Sequence, residues 1–168
     1  DMLDKQELSK GIRRAFKKGI FQDIQAVSGD YDDGLKLTYI IREIPVIKKI
    51  NIDGDENISG KIIRKRFHFK EDEDFHEELL DDAKLDLLEF YKRKGYPDAK
   101  IKITVEGKDK KAAVDININI EEGRPLIINK IDAAAEVRNM ITVTEGDVFD
   151  MDVLDEDIKG IKEHFKKE

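Results

Sequence analysis

The chain has 168 residues, of which 39% are hydrophobic and 41% charged, and its formal net charge is −7. This length fits one or two ordinary domains, and no apolar run exceeds three residues, so no segment has the length of a membrane-spanning helix. The acidic balance argues against broad nucleic-acid binding, which needs a basic surface, and the absence of cysteine excludes disulfides and thiolate catalysis.

The first segment predicts a helix followed by a hairpin. Leu8, Ile12 and Phe16 recur at helical spacing and stop at a Lys-Gly pair. Ile24 and Ala26 begin a candidate strand, and a turn at residues 29–34 leads to a second strand with period-two apolar positions. Those positions are Leu35, Leu37, Tyr39 and Ile41.

The middle of the chain begins with a predicted strand and a short helix. Residues 46–52 form the strand, which ends at Asp53 and Gly54. Ser59 is expected to cap the helix, whose apolar residues are Ile62, Ile63 and Phe67.

A longer amphipathic helix follows. Asp74 and Glu77 have the spacing of a capping-box variant, and Gly95 and Pro97 end the helix. Its apolar stripe consists of Leu80, Ala83, Leu87, Leu88 and Tyr91.

Two clear strands complete this unit. Apolar residues alternate with polar ones from Ala99 to Val105 and again from Val114 to Ile120. A period of two places one apolar face on a core and one polar face in water. The connection around Gly107 predicts a hairpin, so residues 46–125 have the order strand, helix, helix, strand, strand.

Parts of this unit recur on both sides of it, which is the most informative property of the sequence. Residues 35–41 lie 79 positions before residues 114–120. Residues 131–133 lie 79 positions after residues 52–54, and Leu154, Ile161 and Phe165 lie 74 positions after Leu80, Leu87 and Tyr91. The chain therefore divides into the second half of a unit at residues 1–45, a complete unit at 46–125, and the first part of another at 126–168.

This succession resembles the polypeptide-transport-associated (POTRA) domain. The matching stretches are residues 50–54, 90–99 and 118–125, at the first turn, the junction of second helix and second strand, and the exit from the third strand. Residues 16–21 and 145–149 resemble further parts of the pattern. The sequence departs from it at Ala133, where the turn glycine is expected, and at residues 72–75, where the family has a glycine-acid-aromatic turn.

The resemblance implies an α+β fold of tandem repeats, each β-α-α-β-β. Each repeat would have a three-stranded mixed sheet, with its third strand in the middle and two antiparallel helices on one face. It also implies a non-enzymatic scaffold arm without cofactors, at the periplasmic face of the outer membrane of a Gram-negative cell.

The implied role is in outer-membrane protein assembly. The partners would be unfolded outer-membrane protein clients and periplasmic chaperones or accessory lipoproteins, with membrane contact only through a barrel outside these residues. Alternatives are a two-partner secretion transporter and a docking protein of cell division.

The predicted client-binding site is the edge strand at residues 98–106. Unpaired N–H and C=O groups at a sheet edge can pair with an incoming backbone, and the outward lysines discourage aggregation; the alternative is that they form only a solvated strand face. The site residues are Lys100, Ile101, Lys102, Ile103, Thr104 and Val105. Hinges are expected at the short junctions Pro45-Val46 and Arg124-Pro125.

Other candidate sites are weaker. Residues 53–57 open like a calcium loop, but Ile58 and Arg64 stand where that loop needs glycine and glutamate, so a turn is expected. The histidines lack ligand spacing, and no metal site is predicted. The many carboxylates leave a carboxylate-dependent hydrolase as a remote alternative.

An acidic run, at residues 71–74 with Glu77 and Glu78, is expected near a helix N-terminus, where the helix dipole favours carboxylates. The alternative is a site for a cation or a basic partner.

The two terminal segments are expected to leave apolar faces uncovered, because pieces of this size rarely build adequate cores alone. The sequence therefore predicts a swapping-like exchange, in which the last segment of one copy completes the first segment of another.

Overall fold

The computed structural model describes residues 5–107 and 112–166. It contains a two-stranded sheet in the first segment and a three-stranded sheet in the middle of the chain. Within these ranges, none of the helices has both the length and the apolar composition that crossing a membrane requires.

The first segment consists of one helix and a hairpin. Helix α1 (Lys5–Phe16) precedes the antiparallel strands β1 (Phe21–Tyr31) and β2 (Gly34–Glu43). Ile41 lies opposite Ile24, so the predicted apolar positions share one face. Ile24 is buried, whereas Leu35, Tyr39 and Ile41 are about half exposed, and this face of the hairpin is largely open.

The middle segment has the predicted β-α-α-β-β order. Its elements are β3 (Val46–Asp53), α2 (Gly60–Arg66), a short 3-10 helix (Glu77–Leu79) that leads into α3 (Leu80–Arg93), β4 (Lys100–Gly107) and β5 (Ala113–Glu121). The strand order is β3-β5-β4, with β5 parallel to β3 and antiparallel to β4. The predicted α+β class and the mixed sheet with its third strand in the middle are confirmed.

One face of this sheet and the two helices enclose a single core. The buried side chains include Ile47, Ile50, Ile63, Phe67, Ala83, Leu87, Tyr91, Val114, Ile116, Ile118 and Ile120. The opposite face is polar, and there Asn51 Nδ2 donates to Asn117 Oδ1 at 2.8 Å. Ile62 was expected in the core but is 46% exposed, because it lies about 100° around the helix from the buried Ile63.

The helix starts differ from the prediction. Asp74 forms an isolated bridge with Val46, and neither the 3-10 helix nor α3 has a side-chain cap, so the capping-box prediction is wrong. Ser59 occupies the cap position of α2 without a side-chain hydrogen bond. Instead Asp55 Oδ2 accepts from the N–H of Gly60 at 2.7 Å, so a carboxylate from the preceding turn satisfies this donor.

The buried carboxylate of Glu122 ties the end of β5 to the turn before α2. It accepts hydrogen bonds from the N–H groups of Asn57 at 3.0 Å and Ile58 at 3.1 Å, and from the hydroxyl of Tyr91 at 3.3 Å. Burial of the Tyr91 hydroxyl, reinforced by the nearby charge of Glu122, raises the pKa of Tyr91 well above its usual value. Tyr91 therefore remains a neutral donor at physiological pH.

The last segment contains α4 (Ala135–Arg138) and α5 (Met151–Phe165). Its first stretch repeats the hydrogen bonds that β3 makes. Phe149 N–H donates to Leu126 O at 2.7 Å, as Phe75 N–H donates to Pro45 O at 2.7 Å. Ile128 exchanges backbone bonds with residues 146 and 147 in the same way as Ile47 does with residues 72 and 73.

These shared bonds correct one alignment made from the sequence. Glu145 Oε1 accepts from Ile131 N–H at 2.8 Å, and Glu71 Oε1 accepts from Ile50 N–H at 3.0 Å. Residues 126–131 are therefore related to residues 45–50 by an offset of 81 rather than 79, and Ala135, not Ala133, stands at the position of Gly54. A two-residue register error was possible because both stretches are rich in isoleucine.

Asp157 is buried in α5 and holds residues 142 and 143 to that helix. Its carboxylate accepts from the N–H and hydroxyl of Thr142 at 2.9 and 2.7 Å, and from the N–H of Val143 at 3.3 Å. Burial opposes ionisation, but these donors outweigh it and lower the pKa of Asp157 below its usual value.

Acid is expected to release this contact. A carboxyl group whose pKa is lowered by folding contributes stability above its unfolded pKa of about 3.9, and that stability is lost as the pH falls through the folded pKa. The amide chemical shifts of Thr142 and Val143, followed by NMR, should therefore titrate with a midpoint below about 3.9. The isosteric variant Asp157→Asn should abolish both titrations, and a midpoint at or above the ordinary aspartate value would contradict the assignment.

Candidate polypeptide-binding edge of the central sheet

β4 forms one edge of the three-stranded sheet. Its inner side pairs with β5, with Lys102 opposite Asn119 and Ile103 opposite Ile118. Among residues 5–107 and 112–166, no hydrogen bond from outside the sheet ends on Lys100–Gly107. The outer backbone groups of this strand are therefore available to another chain.

The side chains of β4 divide between two faces. Ile101 is buried and Ile103 and Val105 are half-buried on the core side. Lys100 and Lys102 are exposed on the polar side, with Thr104 half-buried beside them. Lys100 Nζ lies 3.8 Å from Glu121 Oε2 on the neighbouring strand, a pair so exposed that it contributes little stability.

The opposite edge, at β3, is covered by the chain itself. Ile47 N–H donates to Glu73 O at 2.9 Å, and Ile47 O accepts from Asp72 N–H at 2.7 Å. Further along, Ile50 N–H donates to Glu71 Oε1 at 3.0 Å and Ile50 O accepts from Arg64 Nη2 at 2.5 Å. Most of this edge is therefore already paired, and β4 is the more accessible of the two.

The acidic residues 71–74 thus have a different role from the predicted one. They were expected at a helix N-terminus, but they lie along β3, and α3 begins only at Leu80. Glu77 and Glu78 begin the 3-10 helix instead. The sequence could not reveal this role of 71–74, because most of the contacts are made by backbone atoms of an irregular loop.

The predicted hinge residues lie at the two junctions. Pro45 O accepts from Phe75 N–H at 2.7 Å, and Val46 N–H donates to Ala112 O at 2.9 Å. Arg124 and Pro125 are exposed in the irregular stretch after β5. Whether either junction bends stays a prediction.

Sequence reasoning missed a set of ion pairs across the second junction. Arg93 and Lys94 at the end of α3 contact carboxylates at the start of α5, which are Asp150, Asp152 and Asp155. Both charge runs are visible in the sequence, but nothing there places them side by side.

The other candidate residues have local partners. His68 Nε2 lies 2.9 Å from Asp86 Oδ2, and His76 Nδ1 lies 3.4 Å from Glu78 Oε1, all exposed. Within the part of the chain that the structure describes, no group of three or more histidine and carboxylate side chains is placed to hold a metal ion.

The middle segment is thus a small β-α-α-β-β domain in which β4 forms the open edge of a three-stranded sheet. Residues 45–123 match the POTRA family model, described as the surface antigen variable number repeat. The middle segment of this chain is therefore a POTRA domain.

Known proteins resemble a longer part of the chain. The outer membrane protein assembly factor BamA of Nitratidesulfovibrio vulgaris is 28% identical over 156 residues, which cover 89% of this chain and 20% of that protein. This chain thus spans about a fifth of that relative's length.

Two solved structures are also similar. The N-terminal domain of Omp85 from Thermosynechococcus elongatus has a TM-score of 0.46 and 17% identity, covering 96% of this chain and 72% of that one. Haemophilus influenzae BamA POTRA3-5 has a TM-score of 0.44 and 13% identity, covering 86% and 61%.

Proposed function

We propose that this chain is part of the periplasmic arm of an outer-membrane protein assembly machine, and that it binds unfolded client polypeptide by adding a strand to β4. The POTRA domain and the similarity to an assembly factor support this role. The observation that carries the binding site is the contrast between the two sheet edges: β3 is covered by residues 71–74, whereas β4 is open.

Strand addition suits clients of varied sequence, because most of the recognition comes from main-chain hydrogen bonds. The half-buried Ile103 and Val105 offer apolar contact to every second client residue, while Lys102 lies on the polar side. Strands of outer-membrane proteins alternate apolar and polar residues in segments of about ten. Such a strand matches both faces of β4.

The partners proposed for this arm are unfolded outer-membrane proteins, together with periplasmic chaperones or accessory lipoproteins. Its proposed location is the periplasm of a Gram-negative cell, and no catalysis is assigned to it. The division into residues 1–45, 46–125 and 126–168 is proposed with the same role, supported by the hydrogen bonds that residues 126–149 share with residues 45–75.

Exchange of terminal segments between two copies stays a prediction. The last segment carries residues 126–131, which repeat hydrogen bonds of residues 45–50, and the short helix α4, and the first segment lacks equivalents of both. However, each terminal segment has a helix equivalent to α3. Helix α1 comes just before a hairpin, as α3 does, and α5 follows the turn at residues 145–149, as α3 follows the loop at residues 71–74. Both segments therefore contain a second helix, and a complete exchange would leave one helix over.

The edge can be tested at Ile103, whose N–H points away from β5. Ile120 O lies against Gly54 on the β3 side, so the even-numbered residues of β5 direct their backbone groups toward β3, and Ile103, opposite Ile118, directs its own outward. Ile103→Pro removes this outward donor, and photo-crosslinking to a peptide of about ten alternating apolar and polar residues is expected to be lost. Ile103→Ala is the matched control, because it also removes the side chain but keeps the N–H; crosslinking should persist. Equal crosslinking by folded Ile103→Pro and the parent would exclude this edge.

Hydrogen exchange gives a second test that needs no substitution. Addition of the peptide should slow exchange of those β4 amides that point away from β5, while residues 47–50 of β3 stay unchanged. Protection confined to β3 or to the hairpin of the first segment would move the site elsewhere.

A further inference from the structure

The second junction brings two backbone segments into direct contact. Gly95, just after α3, has a φ of +87°, and a Cβ atom there would collide with Phe149 O. Gly95 O accepts from Leu126 N–H at 2.8 Å, and Leu126 O accepts from Phe149 N–H at 2.7 Å. The end of α3 is thus joined to the last segment without intervening side chains.

Charged side chains surround this contact. Arg93 Nη2 lies 2.6 Å from Asp152 Oδ1 and 2.8 Å from Asp155 Oδ2. Lys94 Nζ lies 2.9 Å from Asp150 Oδ2 and 2.8 Å from Asp152 Oδ2. Lys94 and Asp150 are about three-quarters buried, so salt screens this pair less than a surface pair.

The charges on both sides of the junction also suit the dipoles of the helices that carry them. The cations lie at the C-terminus of α3 and the carboxylates at the N-terminus of α5, so each group is also favoured by its own helix dipole. Hydrogen bonds from Lys94 and Arg93 lower the pKa of Asp152. The Asp152 carboxylate is therefore ionised throughout the neutral range.

The first junction has Lys17, Lys18 and Gly19 in place of Arg93, Lys94 and Gly95, but among the described residues these lysines form no ion pair with the POTRA domain. Pro45 stands at the position of Leu126 and has no N–H to donate to the preceding glycine turn. At the positions of Asp150 and Asp152, the offset of 74 places His76 and Glu78, whose side chains face each other at 3.4 Å.

Two backbone hydrogen bonds next to the first junction each lie within a single unit. Ile44 N–H donates to Ile20 O within the first segment, whereas Pro45 O accepts from Phe75 N–H within the POTRA domain. The family model begins at residue 45, so the chain passes from one unit to the next at residues 44–46.

We propose that the two junctions differ mechanically: the chain bends at residues 44–46, whereas the POTRA domain and the last segment move as one body, clamped by Arg93, Lys94 and Gly95. Pro45 and Val46 thus form a hinge, whereas Arg124 and Pro125, also predicted as a hinge, do not. Its consequence is that the open edge of β4 has a fixed direction relative to the segment that follows.

Distances between spin labels test this difference directly. Because the chain has no cysteine, each label attaches only to a cysteine introduced for the purpose. Asp82→Cys with Lys159→Cys spans the second junction, and Asp82→Cys with Lys36→Cys spans the first; all three sites are exposed. A narrow distance distribution is expected for the first pair and a broad one for the second. Equal widths would overturn the proposal.

Variants of the clamp provide the matched controls. Arg93→Glu should broaden the distribution across the second junction, and the charge swap Arg93→Glu with Asp152→Arg should narrow it again. If circular dichroism shows that Arg93→Glu harms folding, the isosteric variant Asp152→Asn is used to break the ion pair instead. An unchanged narrow distribution in folded Arg93→Glu or Asp152→Asn would show that the ion pairs do not hold the joint.

Discussion

Glu122→Ala is expected to lower the free energy of unfolding of the POTRA domain by about 3 kcal/mol. The substitution leaves the N–H groups of Asn57 and Ile58 without their acceptor, and the Tyr91 hydroxyl, on a fully buried side chain, loses its partner. Donors buried without a partner cost more than the lost hydrogen bond itself contributed. Urea unfolding followed by circular dichroism measures the difference.

Two substitutions control this prediction. Glu121→Ala removes the neighbouring exposed carboxylate and should change stability by less than about 0.5 kcal/mol. Glu122→Gln keeps an acceptor oxygen in place and should cost less than Glu122→Ala. A similar loss for Glu121→Ala and Glu122→Ala would show that the network around Asn57 does not stabilise the domain.

Gly54→Ala is expected to cost more than about 3 kcal/mol. Gly54 has a φ of +82°, and an added Cβ would collide with Ile120 O and lie 3.0 Å from its carbonyl carbon. The obstacle is the backbone of the central strand β5, which cannot rotate away as a side chain would. The turn after β3 or the end of β5 would have to shift, and with it the neighbouring contacts of Glu122.

Gly146→Ala separates the cost of the collision with Ile120 from the cost of the positive φ. Gly146 has a φ of +95°, and an added Cβ would have nothing within 4 Å of it, so its substitution carries only the left-handed backbone cost of about 1–2 kcal/mol. Thermal unfolding of both variants should show the larger loss at Gly54. Equal losses would mean that the close approach to Ile120 relaxes without cost.

The binding edge and the clamp are connected through the same domain. β4 lies next to β5, and the stretch after β5 leads directly to Leu126 and the joint at Gly95. If both proposals hold, a client strand on β4 is presented in one direction to the last segment, while the first segment is free to turn. The crosslinking and spin-label experiments test these two properties separately.

The sequence by itself determined the strands, the order of elements and the fold class. The alternation from Val114 to Ile120 and from Ile101 to Val105 marks one apolar face on each strand, and those residues do line the core. Hydrophobic periodicity is readable in sequence because burial of one face repeats along a regular element. The unit at residues 46–125 could be recognised on this basis together with its glycine turns.

Only the tertiary structure decided which edge is open, how β3 is covered and how the second junction is held. Residues 71–74 cover β3 mainly through backbone atoms of a loop, and such bonds leave no periodic mark on side-chain identity. Arg93 and Asp152 are 59 positions apart, and their charges are neighbours only because the end of α3 meets the start of α5 in the folded chain. Regular burial is a local property of the chain, whereas edges and joints depend on where distant segments meet.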